Sequence, residues 1–189
     1  VKLDQIPQAQ SSLISFNPKT GKVLSYVGGS VFNDSQFDRV RQSYPQSGSV
    51  FKPFIYASAF SGGYNPSSLI NDAPIIFEDK NLETFWRPEN YSGKFYGLTT
   101  LREALVQSIN IVSIKLLREI GIKKSSETVD NFGFGIERLP QDLSLALGSG
   151  NFSPAEVARG FSVFANGGMI SDIHYVSQIK DKNGDIIFD

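Results

Sequence analysis

The chain has 189 residues and a mass of 20.8 kDa, enough for one domain or slightly more. Eighteen Lys and Arg against 19 Asp and Glu leave a net charge of −1, so no basic surplus offers a surface to nucleic acid or anionic lipid. The lack of Cys excludes a disulfide scaffold, a thiolate metal site and a Cys nucleophile, and the single His, His174, argues against a His-based triad.

Fifteen Phe, seven Tyr and one Trp supply bulky core material. No apolar run approaches the ~20 residues that span a bilayer, and nothing at the start reads as a signal peptide; a membrane anchor is expected outside this chain. The first predicted elements are strands Ser12–Phe16 and Lys22–Val27, joined by the turn residues Asn17-Pro18-Lys19-Thr20-Gly21. Residues 30–48 read as loop. A helix is expected from about Ser49, with Phe51, Ile55 and Ala59 at i, i+4 and i+8, Pro53 in its first turn, and Gly62-Gly63 as its stop. Residues 64–98, with Pro66, Pro74 and Pro88, read as a long irregular excursion.

Thr100-Leu101-Arg102-Glu103 carries the spacing of a capping box and opens a short helix, interrupted by Gln107-Ser108-Ile109-Asn110. A second helix runs through Val112, Leu116, Leu117 and Ile120 to Gly121, and a third is expected over 125–132. Ser153-Pro154-Ala155-Glu156 is the clearest helix start, followed by Val157, Phe161 and Phe164 and the stop Asn166-Gly167-Gly168. Strands Tyr175–Ile179 and Ile186–Phe188 close the chain around the turn Lys182-Asn183-Gly184. Strands at both ends with helices between predict an α+β fold, an antiparallel sheet packed with helices.

With no Cys and a lone His, the candidate nucleophiles are Ser, Thr or Lys, and a Ser can be activated by a neutral Lys. Ser49-Val50-Phe51-Lys52 puts both groups at a helix start, where burial and the helix N-terminus favour the neutral amine, and where a backbone N–H faces a developing oxyanion. The spacing is not specific: 24 Ser and 11 Lys in 189 residues give about 1.4 such pairs by chance. The other, Ser177/Lys180, falls in a predicted strand where i and i+3 face opposite ways. The competing reading of the first pair is a helix-capping Ser beside a solvated Lys. Ser-x-Asn occurs at Ser15/Asn17, Ser108/Asn110 and Ser149/Asn151, again near chance, and Ser108-Ile109-Asn110, taken by itself, reads first as a polar helix break with a cap.

The segment Gln46-Ser47-Gly48-Ser49-Val50-Phe51-Lys52-Pro53-Phe54 closely resembles the active-site segment of the transpeptidase domain of bifunctional, class A penicillin-binding proteins. The resemblance runs along nearly the whole chain. It takes in Leu3–Gln8 with Gln10, the hairpin 17–29, and Phe32–Arg39. Trp86-Arg87-Pro88-Glu89-Asn90-Tyr91 with Thr100–Leu105 resembles the approach to the family's second motif. Leu147-Gly148-Ser149-Gly150, Ser153-Pro154 and Phe164–Gly168 resemble the stretch beyond it. The third motif, Lys-Thr-Gly, belongs on a later strand; the Lys19-Thr20-Gly21 of this chain precedes Ser49 and reads as turn chemistry.

The resemblance implies a penicillin-binding, serine β-lactamase-like fold, incomplete here. Residues 1–189 would be the N-terminal part of a transpeptidase domain, with a hairpin at about 12–27, a helical catalytic region at about 49–168 and C-terminal strands at about 173–188. It implies that Ser49 attacks the D-Ala-D-Ala bond of a peptidoglycan stem peptide, that Lys52 takes its proton, that Ser108 passes a proton to the leaving D-Ala, and that Asn110 holds Lys52 and the substrate amide. It further implies β-lactams as covalent inhibitors, no cofactor or metal, and no nucleic acid. The remaining strands of the domain and an upstream glycosyltransferase domain would be its partners, in an anchored parent at the outer face of the bacterial cytoplasmic membrane. Without the third motif the chain alone is expected to be nearly inert, since one lost oxyanion donor costs about 10²–10³ in rate. A β-lactam sensor or β-lactamase of the same fold, and a non-catalytic wall-binding module, are the competing readings.

Overall fold

A computed structural model describes residues 9–79 and 84–188. The Leu3–Gln8 segment that resembles the family's entry into the domain lies outside these residues. In chain order the elements are β1 (Leu13–Phe16), β2 (Val23–Val27), a 3-10 turn (Gly48–Phe51), α1 (Lys52–Ser61), β3 (Leu69–Asp72), β4 (Phe77–Asp79), β5 (Thr84–Trp86), β6 (Gly97–Thr100), α2 (Leu101–Val106), α3 (Asn110–Ile120), α4 (Ile122–Asp130), α5 (Pro154–Ala165), β7 (Ile179–Lys180) and β8 (Ile186–Phe188). Every strand pairs antiparallel, so the α+β class holds; among the described residues the strands form two-stranded ribbons. Among these residues no helix is long and apolar enough to cross a membrane.

The chain divides into two compact units, 46–151 and the two flanks, 9–45 with 152–188. The expected helical region 49–168 therefore straddles a boundary, and α5 packs with β1 in the flanking unit. There β1 and β2 pair from Leu13↔Val27 to Phe16↔Val23. Their turn is set by Asn17, whose Oδ1 accepts the N–H groups of Lys19 and Thr20 at 2.9 and 3.2 Å. Gly21 closes it at φ +77°, so Lys19-Thr20-Gly21 is turn chemistry, as its position predicts. His174 sits half-buried in an isolated bridge to Lys22, and the expected strand starting at Tyr175 is confined to Ile179–Lys180.

Helix α5 starts as its sequence predicts. Ser153 Oγ accepts the Glu156 N–H at 3.3 Å and the Glu156 carboxylate accepts the Ser153 N–H at 2.7 Å. Its buried face is Gly160, Ser162 and Val163, whereas Phe161 and Phe164 are exposed, so the aromatic spacing does not mark the inward side. Ser153→Ala should cost about 1 kcal/mol of stability, read from the urea unfolding midpoint.

In the 46–151 unit α1 is the central helix. Lys52, Phe54, Ile55, Tyr56, Ser58 and Ala59 are all buried, so burial runs around the helix and exceeds the predicted stripe. On one side Phe51, Phe54, Phe132 and Phe134 interlock with ring centroids 4.8–5.3 Å apart. On the other, Tyr56, Ala59, Ile70, Leu101, Ala104, Ile109, Val112 and Leu116 form a second cluster.

The excursion 64–98 is not irregular throughout. β3 and β6 pair from Leu69↔Thr100 to Asp72↔Gly97, and enclose the short β4–β5 ribbon. The expected capping box at Thr100 is half made: Thr100 Oγ accepts the Glu103 N–H at 3.2 Å, with no return bond from the carboxylate among the described residues.

Candidate active site

The turn that carries Ser49 is held by a second strand of backbone. Gln46 bridges Asn151, the Ser47 N–H donates to Gly150 O at 3.0 Å, and the Gly48 N–H donates to Gly148 O at 2.9 Å. The Ser47 hydroxyl adds bonds to the carbonyls of Gly148 and Gly150 at 3.2 and 3.1 Å. Gly148 comes so close that a Cβ on it would stand 2.0 Å from Gly48 O. The 147–150 stretch, which the sequence ties only to a family likeness, is thus the brace of the candidate nucleophile.

Beyond Gly48 (φ +59°) the 3-10 turn presents Ser49 to solvent and hands over to α1 at Lys52, whose N–H donates to Ser49 O. Side chains three residues apart eclipse in a 3-10 turn, so Ser49 and Lys52 share a face. Their surroundings differ sharply all the same: Ser49 is exposed and Lys52 is 1% exposed.

The Lys52 ammonium donates to Ser108 O at 2.6 Å, Ser108 Oγ at 3.0 Å and Asn110 Oδ1 at 2.7 Å. A solvated surface Lys is ruled out. The expected contact between Nζ and the Ser49 hydroxyl is not made; the three N–H donors of the ammonium are spent on the Ser-x-Asn segment, and the Ser49 hydroxyl forms no hydrogen bond among the described residues. Burial pushes the Lys52 amine down from 10.5 to about 8. A neutral amine has two N–H donors and one lone pair. Once neutral, Lys52 can donate to only two of these three oxygens, and its lone pair is left to accept a proton.

Ser108 lies in the link between α2 and α3 at φ 53°, the one non-glycine with positive φ among the described residues. Its neighbour Ile109 is 3% exposed and plugs the core beside Leu101, Ala104 and Val112, while the Ile109 N–H donates to Ala104 O at 2.8 Å. The middle residue of Ser-Ile-Asn is therefore the anchor, and the two polar residues around it reach Lys52. Asn110 opens α3; its Nδ2 donates to Glu89 O at 2.9 Å, which leaves Oδ1 to accept from Lys52. Glu89 and the adjacent Asn90 belong to the Trp86–Tyr91 stretch, which the sequence ties to the second motif only through the family likeness.

The aromatic residues of the 86–96 stretch divide. Trp86 stacks on Phe77 at 5.3 Å, and Tyr91 is fully exposed. Tyr96 lines a cavity of about 640 Å3 with Leu98, Glu103, Gln107 and Ile109, flanking Ser108 on both sides in sequence. Among the described residues no cluster of His, Asp or Glu could hold a metal.

The family described as the penicillin-binding protein transpeptidase domain matches residues 12–187. The chain is 45% identical over 184 residues to penicillin-binding protein 1A of Pseudomonas aeruginosa, covering 97% of this chain and 22% of that protein. It superposes on the crystal structure of penicillin-binding protein 1A from Haemophilus influenzae with a TM-score of 0.94 at 38% identity, over 99% of this chain and 28% of that one. The PonA1 protein of Mycobacterium tuberculosis, solved in complex with penicillin V, shares the fold at 20% identity and a TM-score of 0.82, over 96% of this chain and 51% of that one. With a family match along most of its length and a buried Lys joining Ser108 to Asn110, the chain belongs to the penicillin-binding protein transpeptidase domain family.

Proposed function

We propose that the chain forms the acylating part of a peptidoglycan D,D-transpeptidase, with Ser49 as nucleophile, Lys52 as base, Ser108 as proton carrier and Asn110 as the residue that orients Lys52. The observation that carries this reading is the buried Lys52 amine, one turn from an exposed Ser49 and bonded to both polar residues of Ser-Ile-Asn. Neutral Lys52 takes the Ser49 proton as Oγ bonds to the carbonyl carbon between the two D-alanines of a stem peptide. The Ser49 N–H, in the first turn of the 3-10 segment and free of any intrahelical acceptor, faces the oxyanion. As the C–N bond breaks, the leaving amine takes the Ser108 hydroxyl proton, and Lys52 replaces it. An amine of a second stem peptide then attacks the ester, closes the cross-link and returns a proton to Ser49. A β-lactam opens by the same first step, but its leaving amine stays tethered to the acyl group and blocks the second. The parent protein would work at the outer face of the bacterial cytoplasmic membrane, alongside a glycosyltransferase domain.

The test is the intact mass of the full-length protein after benzylpenicillin, with the adduct mapped. A persistent adduct of one penicillin on Ser49, lost in Ser49→Ala, is the expected result. An adduct elsewhere, or labelling that survives Ser49→Ala, ends the reading, and rapid release of hydrolysed penicillin favours a β-lactamase. Acylation should also rise roughly tenfold from pH 7 to pH 9, as the neutral fraction of an amine titrating near 8 grows from about a tenth to about nine-tenths.

A further inference from the structure

Asn110 is held at both ends by one dipeptide. Glu89 O accepts from its side chain, and Asn90 Oδ1 accepts from its backbone N–H at 3.0 Å and from the Ile111 N–H at 3.1 Å. Asn90 is thus the cap of α3, supplied from 20 residues upstream, because the residue in the capping position, Ile109, has no side chain that can accept. The other end of the Asn90 amide meets Asp72. Nδ2 donates to both Asp72 carboxylate oxygens at 2.9 Å and to Lys94 O at 2.9 Å, and the Tyr96 N–H donates to Asp72 Oδ2 at 2.9 Å. Asn90 is 6% exposed and Asp72 is 1% exposed.

A carboxamide alone can present either end to a neighbour; a carboxylate, which only accepts, decides which. Asp72 therefore turns the Asn90 NH₂ toward itself and the oxygen toward α3. That oxygen fixes where Asn110 starts the helix, and Glu89 O orders the Asn110 amide in the same way, so that its oxygen faces Lys52. Buried groups of this kind tolerate no loose member, since each bond made decides the next.

We propose that Asp72 and Asn90 are positioning residues for acylation, acting through Asn110 to aim the Lys52 amine. This rests on the reading of Ser49 as nucleophile and Lys52 as its base. Both are buried and act through Asn110, so their loss should slow the chemical step and leave recognition nearly intact.

The test is benzylpenicillin acylation of the full-length protein, with the rate constant k2 of acylation separated from the binding constant K. Asp72→Asn keeps size and removes the acceptor-only partner; k2 should fall about tenfold with K within about threefold. Asn90→Asp sets two carboxylates together and should lower k2 by 100-fold or more. The exchange D72N/N90D restores one carboxylate beside one amide with the α3 N–H groups still accepted, and should bring k2 back to within about tenfold of the unaltered protein. That recovery is what mere damage to folding would not produce. Unchanged k2 in both single variants, with Ser49 still labelled, defeats this inference alone. So does a fall in k2 that only tracks lost folded protein and does not recover in the exchange. Absence of a Ser49 adduct in the unaltered protein defeats the functional reading, and the inference with it.

Discussion

Gly148→Ala should abolish acylation of Ser49 and cost about 3 kcal/mol or more of stability, measured by benzylpenicillin labelling and urea unfolding. Two penalties combine. Gly148 stands at φ +71°, where a side chain costs about 1–2 kcal/mol. The added Cβ would also lie 2.0 Å from Gly48 O, 2.8 Å from Gly48 C and 2.8 Å from Phe51 Cβ. These are the backbone of the nucleophile turn and a fully buried aromatic residue, so nothing flexible can yield. Relief can come only by moving the turn, which moves Ser49. Gly63 separates the two penalties, because at φ +99° it has nothing within 4 Å of the added carbon. Gly63→Ala should cost only about 1–2 kcal/mol and leave acylation alone.

Lys52→Met should lower the acylation rate by about 10²–10⁴, the usual span for loss of a general base. It should also flatten a pH dependence of stability. The Lys52 amine titrates at about 8 in the fold and at 10.5 when unfolded, so between those values the unfolded chain binds more protons. Stability then rises with pH across that window, by about 2–3 kcal/mol by pH 10. Above pH 10 an opposite slope takes over. Burial raises the Tyr56 phenol to about 12, so it ionises first in the unfolded chain and stability declines. Urea unfolding followed from pH 7 to 10 should show the rise in the unaltered protein and its absence in the Met variant. A rise of equal size in both would mean that another group carries it.

The parts of this fold legible in sequence are those set by local chemistry. The first hairpin declares itself through Asn17 and Gly21, α5 through Ser153-Pro154-Ala155-Glu156, and α3 through its apolar spacing and Gly121. The β3–β6 pair was hidden because alternation there runs Leu69 out, Ile70 in, Asn71 out, Asp72 in; a buried carboxylate breaks the polar-outside rule by which strands are recognised. In the candidate site, Ser49, Lys52, Ser108 and Asn110 could be nominated from spacing and family likeness. The family likeness also names Asn110 as a partner of Lys52; the bonds from Lys52 to both the carbonyl and the hydroxyl of Ser108, 56 positions away, could not be read. Asn90 and Asp72 escaped for the same reason, and nothing in Leu-Gly-Ser-Gly tells which glycine must stay bare.

The positive φ of Ser108 has a consequence for how this chain can change over generations. A glycine there would relieve about 1 kcal/mol of backbone strain and erase the hydroxyl. If Ser108 is the proton carrier proposed above, pressure for heat tolerance and pressure for acylation pull on this codon in opposite directions. A lineage that lost its need for the chemistry would be free to drift to glycine, and the residue found there would record which pressure had prevailed.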